Sequence, residues 1–358
     1  MNKDLHGGNI YKFQREGKND ILDYSSNINP LGVPQKFIDI AKESFDKLVN
    51  YPDPYCIELR KKIAEFNSVN MNNIIVGNGA TEILFLYIRA LKPKKVLILA
   101  PCFAEYERAL KSVSTNIEYF ELKESDNFYP NIINLKKEIE NNNYDLLLFC
   151  NPNNPTGQFI KLEDIKEIIE TCEKKNTKIF VDEAFIEFIE NWKEKTVSLL
   201  KNKNIFIMRA FTKFFAIPGL RLGYGIGFDD EVLKKMWEEK EPWTVNTFAN
   251  LAGLIMLDDK EYIEKSEKWI LEEKKFMYEE LSKFQNIKVY KTECNFILIK
   301  LSNITSESLR EKMIERNILI RDASNFKFLD YHFVRLAIKD RKSNLKMLET
   351  LTGFVEYK

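Results

Sequence analysis

The sequence predicts an α/β fold with a large, mostly parallel central sheet and a smaller C-terminal α/β unit. Three observations carry this: short continuous runs of Ile, Val, Leu and Phe recur up to about residue 230, amphipathic segments of helical period separate them, and the 358-residue chain exceeds the ~250–300 residues at which single cores stop growing. The apolar runs are NIIVG (73–77), KVLILA (95–100), DLLLFC (145–150), KIFVD (178–182), NIFIM (204–208) and LGYGIG (222–227). Between them, TEILFLYIRALK (81–92) and KLEDIKEIIETCEKK (161–175) read as helices. Unbroken apolar strands require cover on both faces, and alternating helices supply it.

Beyond about residue 255 the texture changes to a long charged helix, DDKEYIEKSEKWILEEKKFMYEELSKF. Strands at IKVY and NFILIKL, a helix at SESLREKMIERN, strands at ILIRD and HFVRLAI, and a closing helix follow. The expected organisation is an N-terminal arm and helix (1–48) packing on the small unit, a large domain (49–255) and a small domain (256–358).

With Lys+Arg 54 against Asp+Glu 54, the formal charge is zero, which argues against a nucleic-acid partner and for a small molecule. The N-terminal MNKDLHGGNIYKF lacks the apolar centre of a signal peptide, and no apolar run approaches the ~18 residues of a membrane span, so a cytoplasmic protein without a membrane partner is expected. The five cysteines have no CxxC spacing and the only histidines are His6 and His332, so neither a metal site nor a disulfide framework is expected.

Four segments concentrate residues with chemical potential. VGNGATEIL (76–84) runs from a strand through Gly77, Gly79, Ala80 and Thr81 into a helix; it is either a phosphate cradle or an ordinary capped turn. NPNNPTG (151–157) can continue neither helix nor sheet, and it follows a strand at the edge where open α/β sheets bind ligands. Asp182 ends an apolar strand, where it either caps the next segment or pairs with a buried cation. Lys213, within AFTKFFAIPGLRLGYG (210–225), either snorkels to solvent or sits dry, where a neutral amine can form a Schiff base with an aldehyde.

In their order and approximate spacing, GNGATE, NPNNPTG, VDEAF, TKFFAIPGLRLG and VRLAI resemble the fold-type-I pyridoxal-phosphate enzymes over nearly the whole chain. The resemblance implies pyridoxal 5′-phosphate as cofactor and a role for each residue. Lys213 matches the lysine that bonds to the cofactor aldehyde and moves protons at the substrate α-carbon. Asp182 matches the carboxylate that keeps the pyridine nitrogen protonated, and Asn154 the partner of the ring's phenolic oxygen. Gly79, Ala80, Thr81, Thr212 and Arg221 match the phosphate cup, and Phe103 the aromatic stacked on the ring. Tyr51 matches a tyrosine reaching the neighbouring subunit's cofactor, which implies a homodimer. Two positions depart from the usual pattern: Phe185 where many relatives have Tyr, and Ala210 where many have Ser or Thr.

Substrate contacts follow from the same resemblance. Arg335 matches the arginine that usually holds an α-carboxylate, and Arg321 one that binds a substrate phosphate. LHGGNIYKF followed by LDYSSNINPLGVP is similar to the threonine-phosphate decarboxylases of cobamide synthesis, which adds His6, Asn27 and Asn29 beside the substrate. The expected reaction is loss of CO2 from a small phosphorylated amino acid. Histidinol-phosphate aminotransfer is the alternative, and a non-catalytic cofactor-binding regulator a distant one.

Overall fold

A computed structural model describes residues 6–357; the first five residues of the expected arm and Lys358 of the expected small domain lie outside the described residues. Thirteen strands occur in chain order: β1 (Leu22–Asp23), β2 (Ile74–Asn78), β3 (Lys95–Ala100), β4 (Asn116–Glu121), β5 (Leu146–Cys150), β6 (Lys178–Asp182), β7 (Ile205–Ala210), β8 (Leu222–Gly227), β9 (Ile287–Val289), β10 (Phe296–Leu301), β11 (Ile318–Leu319), β12 (Arg321–Asp322) and β13 (Phe333–Ala337).

Seven of them form the central sheet in the order β2-β8-β7-β6-β5-β3-β4. Only β8 opposes its neighbours; it is antiparallel to both β2 and β7, while the β4, β3, β5, β6 and β7 pairings are parallel. Successive residues of a strand face opposite sides, so each apolar run serves two cores. Leu146 and Leu148 join the cluster under helix Ala80–Leu91, and Leu147 and Phe149 the cluster on the other face. That double burial is why these strands read as continuous apolar runs.

The second sheet, β12-β13-β10-β9, is antiparallel and packs under the long helix Lys260–Leu281 and the closing helix Arg341–Thr352. ILIRD, read as one strand, divides in two. Ile318–Leu319 pairs in parallel with Leu22–Asp23, whereas Arg321–Asp322 pairs with β13. Leu22 pairs with Ile318, so the N-terminal arm is stitched to the C-terminal unit, and Tyr24 continues the stitch by donating its N–H to Leu319 and accepting from the N–H of Ala337. Strand β4 carried no apolar run because it is an edge strand, half-buried on both faces, where alternating polar residues are tolerated. No helix among the described residues is long and apolar enough to cross a membrane.

Candidate active site

Strands β5, β6 and β7 end side by side, with Cys150 opposite Asp182 and Asp182 opposite Met208. This carboxyl-terminal edge forms the floor of a cavity of about 260 Å3. A roomier cavity, about 370 Å3, lies beyond Phe214 and is not lined by Asp182, Lys213, Arg321 or Arg335.

Asp182 is buried in the floor. Tyr106 donates its hydroxyl to Oδ2 at 2.5 Å and the Ala184 amide donates to Oδ1 at 2.9 Å. Burial pushes its carboxyl up to about 6, against the pull of those two donors. After β5, the NPNNPTG loop braces itself: Asn151 exchanges two hydrogen bonds with the backbone of Ile160, and Asn153 Nδ2 donates to Pro101 and Thr156. A loop fixed by its own amides sets Asn154 in the cavity wall, where its Oδ1 accepts from Arg335 Nη1 at 2.5 Å.

Lys213 follows β7 on a single helical turn, Phe211–Phe214. Burial first, then the positive charges of Arg335, Arg221 and Lys339, bring its amine down to about 8. The cavity thus holds an amine far more readily neutral near pH 7 than an ordinary lysine. The turn is tied from behind by Asn29, whose N–H donates to Lys213 O at 3.1 Å and whose Nδ2 donates to Phe214 O and Ser266 Oγ, both at 2.8 Å. Asn29 therefore does not line the cavity. Its amide is committed to the backbone that carries Lys213 and to Ser266.

At the other end, β2 passes through Gly79 into helix Ala80–Leu91, and the first-turn residues Ala80 and Thr81 line the cavity with Thr212 and Arg221. Gly79 has φ +80, and a Cβ on it would lie 2.5 Å from Arg221 Nη2. Only glycine permits that approach of the guanidinium to the helix start. A helix N-terminus, two hydroxyls and a guanidinium line the same cavity, a donor set suited to a phosphate dianion.

The opposite wall comes from both ends of the chain. Arg335, on β13, is buried; Nη1 bonds Asn154 Oδ1, Nη2 donates to Ser25 O at 2.6 Å, and buried Nε has no partner. Both acceptors are neutral, and burial followed by the nearby Arg321 charge brings the guanidinium down to about 9. A buried cation with neutral partners favours an incoming anion. Arg321 is buried, donating to Asp322 O and to Asn325 Oδ1 at 2.8 Å with its guanidinium over Phe326. Asn27 is buried beside them with Oδ1 unpartnered.

His6, Gly7, Ser25 and Ser26 close this wall. A Cβ on Gly7 would lie 2.0 Å from Ser25 O, so the two arm segments touch backbone to backbone. Phe103 lies between His6 and Tyr106, at ring-centroid distances of 5.4 and 5.7 Å. Phe185 and Ala210 also line the cavity, where they contribute no hydroxyl. Tyr51 is elsewhere on this chain: it is 82% exposed and packs on Trp243 at 5.0 Å.

A family model of class I and II aminotransferases matches residues 19–351. The chain belongs to that family. This class I and II aminotransferase relative is 43% identical over 98% of its length, and 94% of the other protein, to a provisionally named threonine-phosphate decarboxylase of Caldanaerobacter subterraneus subsp. tengcongensis. The threonine-phosphate decarboxylase of Salmonella typhimurium is 34% identical, covering 97% of this chain and 95% of that protein. Among solved structures, the histidinol-phosphate aminotransferase of Clostridium acetobutylicum superposes with a TM-score of 0.87 at 38% identity, covering 93% of this chain and 98% of that one. The fold is fold type I and the cofactor is pyridoxal 5′-phosphate. The donor set fits that cofactor: phosphate donors at the start of helix Ala80–Leu91, an amine at Lys213 and a carboxylate at the far end.

Four polar contributors escaped the sequence reading. Tyr106 and Glu105 follow Phe103 in PCFAEY, and nothing in their spacing marks them. Arg209 and Glu183 were accessible: Arg209 interrupts an apolar strand and Glu183 follows Asp182 on the adjacent one. Both are fully buried, and Arg209 Nη2 bonds Glu183 Oε2 at 2.8 Å, a cross-brace between β7 and the end of β6.

Proposed function

We propose that this protein decarboxylates L-threonine O-3-phosphate to (R)-1-aminopropan-2-ol O-2-phosphate, with L-serine O-phosphate as the near variant, since one methyl group changes selectivity by only ~1–3 kcal/mol. The carrying observation is the Arg335 guanidinium, buried in the cavity wall with neutral partners and near enough to depress Lys213, with Arg321 beside it. Two buried guanidiniums suit a substrate bearing a phosphate as well as a carboxylate. The two decarboxylase relatives, similar over nearly the whole chain, support the reading.

Bound pyridoxal phosphate supplies an electron sink conjugated to the substrate α-carbon. Ala80, Thr81, Thr212 and Arg221 would hold its phosphate beside Gly79, Asp182 would keep its ring nitrogen protonated, Asn154 would hold its phenolic oxygen and Phe103 would cover one face. Lys213 would anchor the cofactor's aldehyde carbon and supply the amine that moves a proton at the substrate α-carbon. Arg321 and Arg335, with Asn27 and His6, grip the anionic groups. That grip would decide which α-carbon bond is the one that breaks.

The same reading includes a homodimer in which Tyr51 reaches the partner's cofactor phosphate. Phe45, Val49, Tyr51 and Trp243 are exposed, and Tyr51 packs on Trp243, apolar surface of the kind that a second subunit covers. The large and small domains would divide near residue 255, in a protein of the cytoplasm.

Incubation with L-threonine O-3-phosphate tests the reaction: release of CO2 with the amino-alcohol phosphate supports it. The alternative, histidinol-phosphate aminotransfer, has the 38% identical structure in its favour. Conversion of histidinol phosphate to its ketone phosphate, dependent on 2-oxoglutarate, with no CO2 from L-threonine O-3-phosphate, would decide for that alternative.

A further inference from the structure

The residue on which the substrate-facing arm rests is Glu105, at the start of helix Glu105–Lys111. Its side chain is 8% exposed, and Oε1 lies 2.8 Å from His6 Nε2. The second oxygen accepts only a long 3.4 Å contact from the exposed Arg108. The His6 ring also lies on Phe103, so its plane and its Nε2 edge are both fixed. The ring's other nitrogen, Nδ1, belongs to a residue that lines the cavity.

We propose that Glu105 is a positioning residue for anion capture: its carboxylate holds the Nε2 edge of His6 and so sets the ring's other edge toward the substrate phosphate. The inference rests on the reading of a phosphorylated substrate. An imidazole carrying a proton on each nitrogen can serve two oppositely placed acceptors at once. Glu105 never touches the substrate. It also orders the arm, because the pairing of His6 joins the contact of Gly7 with Ser25 and the Gly8 N–H bond to Ser25 Oγ at 2.8 Å.

The test uses the cofactor-loaded protein. Glu105→Gln keeps the shape and removes the charge; it should raise KM for L-threonine O-3-phosphate ~10–100-fold with kcat within about 3-fold, the range for losing a charged hydrogen bond made equally in ground and transition states. His6→Ala should match it, and the double variant should be no worse than His6→Ala alone. A fall in kcat at unchanged KM, or effects that multiply, would overturn the proposal.

An independent readout separates this from the substrate assignment. The chain has two histidines, so imidazole 15N resonances resolve His6 from His332. Titration with inorganic phosphate should shift His6 and leave His332 still, and Glu105→Gln should move the phosphate-free His6 resonance and weaken its response about tenfold or more. A His6 resonance identical in wild type and Glu105→Gln, or one indifferent to phosphate, refutes the role of Glu105 even in an active decarboxylase. A wild type that turns over no phosphorylated amino acid defeats the substrate assignment instead, and the resonances then decide on Glu105.

Discussion

The phenol of Tyr106 donates to Oδ2 of Asp182 at 2.5 Å, from a helix that belongs to neither of the strands flanking Asp182. A donor to a carboxylate favours its ionised form, so Tyr106 opposes the burial that raises Asp182 to about 6. In Tyr106→Phe the carboxyl should move higher still. Cofactor affinity should then fall by about tenfold, most strongly on the acid side, the size expected for a hydrogen bond to a charged group. Absorbance titrations with pyridoxal phosphate over a pH series measure this, and an affinity that stays at the wild-type value throughout rules it out.

Asp182→Asn removes the charge without changing the size of the floor. A loss of roughly 100–1,000-fold in kcat/KM is expected, the range for deleting one preorganised electrostatic contact. Thermal denaturation should remain cooperative, which separates lost chemistry from a lost fold.

Lys213 sets a second pH dependence. Its amine titrates at about 8, so the neutral fraction rises with pH and saturates above that value. The rate of cofactor uptake by cofactor-free protein should climb about tenfold per pH unit below about 8 and then level. Lys213→Ala should bind the cofactor without being fixed to it by borohydride; a trapped adduct in that variant would exclude Lys213 as the anchor.

Arg335 bears on both substrate and lysine. Arg335→Met deletes the largest positive charge acting on Lys213 after burial, so the Lys213 titration should move up toward the ordinary lysine value and the uptake midpoint with it. Arg335→Lys keeps a charge but not the fork, and should raise KM ~10–100-fold with little change in the uptake profile. Stopped-flow uptake and steady-state kinetics on the two variants distinguish these effects.

The Arg209–Glu183 pair is a stability feature next to the floor. Arg209→Met leaves Glu183 charged and buried, and should destabilise the fold by ~3–5 kcal/mol; Arg209→Met with Glu183→Gln should recover much of the loss. Denaturant unfolding of the three proteins reads this directly.

How much of this was legible depended on how each residue announces itself. The six apolar runs of the central sheet were readable because both faces are covered, and Lys213 and Asp182 because a charge in an apolar run is conspicuous. Edge strand β4 was not readable, since half-buried positions accept polar side chains. The bond of Asn29 to the backbone of Phe214 was not readable either, since it joins residues 185 positions apart. Tyr106 and Glu105 were invisible because a pairing across 76 or 99 positions leaves no local trace.

The stitch between β1 and β11 also fixes an order of assembly. Everything proposed to hold the cofactor within one chain, from Gly79 to Arg221, lies within the central sheet and its loops, so it is complete once β8 has been made. The arm that covers the cavity is synthesised first but finds its partner strand last, when Ile318–Leu319 emerges. Closing so long a loop is entropically costly and slow. A nascent chain therefore reaches a form able to bind its cofactor well before one able to choose a substrate, and the loaded sheet becomes the template on which the selective wall is laid down.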